Sequence, residues 1–153
     1  KTMSPRSTEF LEVADLGAVE IYGWLDEASK IALYDLSDIV LVFSRGGGFE
    51  LNALESLARG IPTLTNDFGC FTDYVPEFLR VKRGERVIVL PNNVIHTGYG
   101  YKVDVDHAVN KILDILDNYD DYKAKVLEWR EKILKNRFRW DIVAKEILRV
   151  MEE

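Results

Sequence analysis

The stretch that most constrains this chain is Ile39 to Pro62, "IVLVFSRGGGFELNALESLARGIP". A five-residue apolar run leads into three consecutive glycines, and a helical pattern follows at once. The run "IVLVF" is continuous and not alternating, which predicts a strand covered on both faces, as in a parallel sheet. From Phe49 to Arg59, Leu51, Leu54, Leu57 and Ala58 recur at helical spacing, and Gly60 with Pro62 stops the pattern. A strand, a glycine-rich turn and a helix N-terminus in succession form an anion-binding geometry. The first helical turn leaves backbone N–H groups unpaired at the positive end of the dipole. Glycines let the backbone approach a phosphate without a Cβ in the way. Taken alone, a glycine run fits a mobile turn equally well.

The rest of the chain repeats the same alternation. Strands are expected at Ala18 to Tyr22, Ile39 to Phe43, Pro62 to Thr65 and Arg86 to Leu90, where "VIVL" is again continuous. A helix is expected from Asp26 to Leu36, whose opening acids suit a helix N-terminus. Strand, helix, strand, helix, strand predicts an α/β domain with a mostly parallel sheet. From Val105 onward three helical segments follow, and in the last Trp140, Val143, Ala144, Ile147, Leu148 and Met151 form one apolar stripe. Asn92 to Lys102 reads as a loop, and Tyr34, Tyr119 and Trp129 read as packing anchors.

Composition narrows the function classes. At 153 residues the chain suits one domain with a true core. A net charge of −6 argues against general nucleic-acid binding. The short basic segments Arg80 to Arg86 and Lys132 to Arg139 read as solvated faces or anion contacts. One cysteine, Cys70, forms no internal disulfide and fits a reducing compartment, so a cytoplasmic location is expected. No apolar run reaches ~18 residues, so membrane contact is expected only peripherally, through parts outside these residues. The chain opens on Lys1, which is consistent with removal of an upstream part, or with Met3 as the start.

Several chemistries fail on residue type. A Walker loop needs Gly-Lys-Ser/Thr, which Phe49-Glu50-Leu51 does not supply. A dinucleotide fingerprint would need glycine at Leu51. His96 and His107 have no Cys or His at ligand spacing, so no metal site is expected. Cys70 reads as a buried or incidental thiol, and Ser44 lacks the nucleophile elbow. Glu55 remains: a carboxylate two turns into a helix whose start faces a ligand crevice can accept from the vicinal hydroxyls of a ribose. Phosphate on the helix N-terminus and ribose on Glu55 would together hold a nucleoside diphosphate.

The segment from Gly17 to Val75 resembles the C-terminal, donor-binding domain of retaining GT-B glycosyltransferases of the glycogen-synthase and sucrose-synthase type. That family reads "LY..SD", an apolar strand ending in Ser, then E-G-F-G-L-x-x-L-E-A-x-A-x-G-x-P. Ser37-Asp38, Ser44, Gly48-Phe49, Leu51, Leu54-Glu55, Ala58, Gly60 and Pro62 match it in order and spacing. "FRWDIVAKEILRVMEE" is similar to the family's final helix, which packs back onto the N-terminal domain. The resemblance implies a Rossmann-like three-layer domain over residues 1–153, the C-terminal half of a GT-B fold. A first strand–helix unit and an N-terminal acceptor-binding domain would lie outside these residues.

What the resemblance implies for the site is specific. Glu55 corresponds to the second Glu of the E-x7-E motif, which binds the ribose. The backbone at Leu51 and Asn52 corresponds to the amides on the distal phosphate. Gly48, Phe49 and Glu50 fall at the transferred sugar, while Trp24 and Leu25 border the base. Arg45 is the nearest cationic substitute for the diphosphate-neutralising residues, which the family carries upstream of Lys1. The implied donor is a nucleoside diphosphate sugar, with no metal or other cofactor, no nucleic-acid partner and no general base assignable within the chain. Two positions depart from the pattern. Gly47 stands where the motif's first Glu belongs, and Gly69-Cys70 replaces a Gly-Gly turn. A catalytically silent nucleotide- or protein-binding domain of the same fold is the alternative, and the chain by itself is expected to turn over nothing.

Overall fold

A computed structural model describes residues 13–21, 23–90, 94–95 and 97–152. The chain divides into two compact units, residues 1–33 and 34–153, each described by itself. In the first unit, the described part of the expected strand Ala18 to Tyr22, residues 18–21, is irregular; Tyr22 lies outside the described residues. Helix α1, Glu27–Asp35, starts where the acids predicted it. Its N-cap is Asp26, whose Oδ1 accepts from the Ser29 amide at 2.7 Å. The Ser29 hydrogen bonds hold the Asp26 carboxyl below its usual range.

The second unit carries a parallel sheet in the order β1 (Val40–Val42), β2 (Thr63–Asn66), β3 (Arg80–Val81). Val40 pairs with Thr63 and Val42 with Thr65, and Thr65 pairs in turn with Arg80. The central strand is β2, and all four of its residues are buried. Its threonines are satisfied inside: Thr63 Oγ1 lies 2.8 Å from Ser56 Oγ and donates to the Ile61 carbonyl. β1 departs from the expected two-sided cover, since Leu41 is half exposed while Val42 is buried. It is one of the two edge strands among the described residues, and the face carrying Leu41 stays open.

Helix α2, Leu51–Ala58, packs between β1 and β2. Its buried face is Ala53, Ser56 and Leu57, whereas Leu51 is exposed. The helix ends in a Schellman motif, with the Gly60 amide on the Leu57 carbonyl and the Ile61 amide on the Ser56 carbonyl. Gly60 has φ +78°, and a Cβ there would also meet Leu127 at 2.7 Å. The positive φ is what requires glycine at this position, and a side chain there would also push the end of Leu127 aside.

After the short helix α3, Phe71–Tyr74, and β3, the structure corrects two expectations. The strand expected at Arg86 to Leu90 starts earlier, as β4 (Arg83–Ile88), and it is antiparallel and mostly exposed. Its partner β5, Tyr99–Val103, lies largely within the stretch read as the loop Asn92 to Lys102. Residues 91–93 and 96, His96 included, fall outside the described ones. Helices α4 (Val105–Asp117) and α5 (Tyr119–Trp129) cover the parallel sheet through Ala108, Ile115 and Val126. A π-helical turn, Arg130–Leu134, and the single turn α6, Lys135–Arg137, lead to α7, Trp140–Glu152. The apolar stripe of α7 is present, but none of its residues is buried among the described ones.

Candidate functional site

The site is built where β1 ends. Phe43 and Ser44 leave the carboxyl edge of the parallel sheet, the glycine loop follows, and α2 begins at Leu51. In open α/β sheets this edge is where ligands bind. Ser44 organises the loop: its hydroxyl donates to the Gly46 carbonyl at 3.1 Å, and its carbonyl accepts from Asn66 Nδ2 at 2.9 Å. Asn66 is fully buried at the end of β2, so it ties the two strand ends together under the loop. Among the described residues its Oδ1 has no hydrogen-bond partner.

The loop rests on the β4–β5 hairpin. A Cβ at Gly100 would lie 1.7 Å from the Arg45 carbonyl oxygen, so only a residue without a side chain lets the two backbones meet. Gly46, Gly47 and Gly48 then form one wall of a cleft of about 390 Å³, with Val89, Ile95, Thr97 and Gly98 opposite. A larger groove, about 600 Å³, runs along α7 and has mostly apolar neighbours such as Ile142, Ile147 and Met151. It is lined by Val143, Ile147 and Met151 of the predicted apolar stripe and by none of the residues assigned to the nucleotide-sugar site from the sequence.

The start of α2 is held from behind. Phe49 stacks on Tyr74 at 5.0 Å and on Phe138 at 6.2 Å. The Tyr74 hydroxyl donates to the Glu50 carbonyl at 2.8 Å. Burial pushes the Tyr74 phenol up, so it stays protonated as a donor. Glu50 occupies the N-cap position in an extended conformation, yet its side chain makes no capping bond. Instead Glu50 Oε1 lies 2.2 Å from where a Cβ at Gly47 would stand. The Glu50 carboxylate therefore fills the space in which a side chain from position 47 would begin.

Among the described residues no acceptor meets the amides of Leu51 and Asn52; the Asn52 side chain accepts from the Ala53 amide. These are first-turn donors at an exposed helix N-terminus. Glu55 lies one turn further along, about 6 Å up the helix axis. It is half-buried, and its Oε2 accepts from the Tyr34 hydroxyl at 3.1 Å.

The predicted residues therefore separate into groups. Gly48, Phe49, Glu50, Leu51, Asn52 and Glu55 lie together along the loop and the first turns of α2. Arg45 is exposed at the loop's start, against the hairpin. Trp24, exposed, and Leu25, half-buried, belong to the first unit. Sequence reasoning missed the residues that support the loop or Glu55 from elsewhere: Asn66, Tyr74, Gly100, and Tyr34, which it read only as a packing anchor. Only Tyr34 carried a signal, since it stands inside "LY..SD". Cys70 is half-buried and burial pushes its thiol up, which disfavours a nucleophilic thiolate. Among the described residues no cluster of His, Cys, Asp or Glu could hold a metal, and no helix is long and apolar enough to cross a membrane.

Comparison with known proteins adds two kinds of likeness. A family model described as family 4 glycosyltransferase in conflict systems matches residues 18–147. A protein of Sulfolobus islandicus rod-shaped virus 1, named "Uncharacterized protein 356", is 39% identical over 142 residues, covering 91% of this chain and 40% of its own. A protein of Sulfolobus islandicus filamentous virus, named "Putative glycosyltransferase 45", is 27% identical over 126 residues, covering 80% of this chain and 36% of its own. The chain thus spans roughly two fifths of the length of each of these relatives.

Proposed function

Because the chain belongs to the family 4 glycosyltransferases of conflict systems, we propose that it is the donor-binding half of a GT-B enzyme. In this reading a nucleoside diphosphate sugar lies at the start of α2, and its glycosyl group passes to an acceptor with retention of configuration. The observation that carries the reading is the grouping on one helix of the Leu51 and Asn52 amides with Glu55, at the carboxyl edge of a parallel sheet. The distal phosphate sits on the amides and the ribose hydroxyls donate to Glu55. As the glycosidic bond breaks, negative charge grows on the leaving diphosphate. Fixed N–H dipoles at the helix start, helped by Arg45 of the preceding loop, stabilise that charge without a metal.

Glu50 supplies the carboxylate that position 47 lacks. Its Oε1 fills the space where a Gly47 side chain would begin, so a carboxylate stands beside position 47 despite the glycine. The transferred sugar lies there, against Gly48 and Phe49. The acceptor binds a further domain of a longer cytoplasmic protein, on which the exposed stripe of α7 rests. Gly47 itself favours a second reading, a catalytically silent nucleotide- or protein-binding domain of the same fold.

Calorimetric titration with UDP, GDP and ADP tests the site. One of the three is expected to bind, and Glu55→Ala to weaken it about tenfold, the usual effect of losing hydrogen bonds to a charged acceptor. The matching nucleotide sugar should also lose affinity with Glu50→Gln, while the bare nucleotide should not. Absence of binding at millimolar nucleotide, or indifference to Glu55→Ala, would remove the assignment. Indifference of the sugar to Glu50→Gln would favour the silent domain.

A further inference from the structure

We infer that Tyr34 is a positioning residue for Glu55, and through it sets a preference for ribose over 2′-deoxyribose in the bound nucleotide. The inference rests on the reading in which Glu55 accepts from ribose hydroxyls. Tyr34 is the penultimate residue of α1, 21 positions before Glu55 in sequence, and its hydroxyl donates to Glu55 Oε2 at 3.1 Å. The next residue reinforces the contact. Asp35 accepts two hydrogen bonds from Arg59, Nε to Oδ1 and Nη2 to Oδ2, both at 2.7 Å. Arg59 stands four residues after Glu55, one turn along the same side of α2. The Arg59 hydrogen bonds hold the Asp35 carboxyl below its usual range, so this latch stays charged near neutral pH. Tyr34 and Asp35, the first two residues of the second unit, are therefore bonded to Glu55 and Arg59 one turn apart, and Tyr34 is half-buried.

A glutamate on a helix is long and loses rotamer freedom when it clamps a ligand. A phenol that already holds one carboxylate oxygen removes part of that cost before the ligand arrives. An ionised carboxylate offers about four acceptor sites, so one group can accept from a phenol and from ribose hydroxyls together. Both ribose hydroxyls are donors to the same group. A pre-set carboxylate discriminates against a sugar that lacks one of them, since a polar site loses most when its intended partner is missing.

The test is calorimetry with whichever of UDP, GDP and ADP binds, alongside its 2′-deoxy form, on the parent protein, Tyr34→Phe, Glu55→Ala and the double variant. The parent should prefer the ribonucleotide by roughly tenfold. Tyr34→Phe keeps the ring and removes only the hydroxyl. It should weaken the ribonucleotide about three- to tenfold, leave the 2′-deoxy form nearly unchanged, and so shrink the preference. The double variant should bind no worse than Glu55→Ala. If Tyr34→Phe weakens both nucleotides equally, its role is structural and the inference is wrong. If Glu55→Ala abolishes the preference and Tyr34→Phe leaves it intact, the inference alone fails. If Glu55→Ala leaves the preference intact, or no nucleotide binds, the ribose role of Glu55 fails and takes this inference with it.

Discussion

The parallel sheet and the β4–β5 hairpin both draw on continuous apolar runs, "IVLVF" and "VIVL", and use them in opposite ways. In the sheet, β2 is buried along its whole length, with α2 packed against it, and even its threonines and Asn66 are covered. In the hairpin, Ile88 is half exposed, and the outer side chains stack on one another instead of entering a core. Arg86 lies 4.1 Å from the Tyr99 ring centroid and Arg83 lies 5.0 Å from that of Tyr101. The hairpin meets the rest of the unit through Gly100 on Arg45, Tyr101 on Phe68 at 4.8 Å, the Asn66 amide near the Tyr101 carbonyl, and Val103, which packs against the core. What differs is the cover. A strand is buried when helices close over it, and an edge ribbon with none stays half-wet whatever its residues.

That contrast is broken most directly by equal truncations in the two regions. Leu64, fully buried in β2, changed to alanine leaves a cavity and should cost about 3 kcal/mol. Ile88→Ala in β4 removes a comparable side chain from a site 45% exposed, and should cost under about 1 kcal/mol. Urea unfolding of the two variants measures the gap. Equal losses would mean that the hairpin is as deeply integrated as the sheet.

The same contrast explains what could be read from the sequence. Ile39 to Phe43, Pro62 to Thr65 and the three C-terminal helices were visible because their periodicity is local, even though Leu41 and the stripe of α7 stay exposed. The Schellman end of α2 was visible because Gly60 and Pro62 announce it chemically. The hairpin was misread because "VIVL" resembles a covered strand, and nothing local says that no helix covers it. Tyr99 to Val103 was missed because "YGYKV" owes its strand to pairing with β4, a contact made across the intervening segment. On α2, leucine spacing suggested a face through Leu51, but the sheet selects the small residues Ala53 and Ser56, which allow close approach. At the candidate site, the loop and Glu55 lie on one contiguous stretch and were legible. Tyr34, Asn66, Tyr74 and Gly100 were not, because each reaches the loop or Glu55 from a distant part of the chain.

Gly100 is where the two regions touch, so it sharpens the comparison next. Any side chain there must displace the Arg45 carbonyl or the hairpin, since backbone at 1.7 Å cannot yield as a flexible side chain would. Gly100→Ala should cost about 1–3 kcal/mol, as overpacking does, and should weaken nucleotide binding by moving the glycine loop. Gly98→Ala adds the same methyl where no atom lies within 4 Å, and should stay within about 0.5 kcal/mol of the parent. Thermal melting of the pair checks the stability difference. Similar melting temperatures would show that the hairpin swings away freely and does not seat the loop.

The smallest expected effect tests the other joint between the regions, Lys82, which separates β3 from β4. His107 reaches it from the first turn of α4, and its Nδ1 accepts from the Lys82 amide at 3.2 Å. The Lys82 carbonyl accepts in turn from the Asp104 amide, and Asp104 caps α4 through the His107 amide at 2.9 Å. An Nδ1 that accepts must be unprotonated. Burial first, then the positive charges of Lys111 and Lys82, lower the His107 pKa below 6.5, while Asp104 opposes them. In the unfolded chain the imidazole returns to 6.5, so below that pH the unfolded state binds more protons than the folded one. Linkage then makes the His107 contribution complete above pH 6.5 and progressively lost as pH falls from 6.5 toward the lower folded value. The urea midpoint of the parent should drop between pH 7.5 and pH 5.5 by more than that of His107→Asn, which carries no titrating ring at this position. The difference between the two drops isolates His107 from the background of the other titrating groups. Equal drops would mean that the imidazole is protonated at no cost, and that the hydrogen bond to Lys82 does not hold the hairpin's first residues to α4.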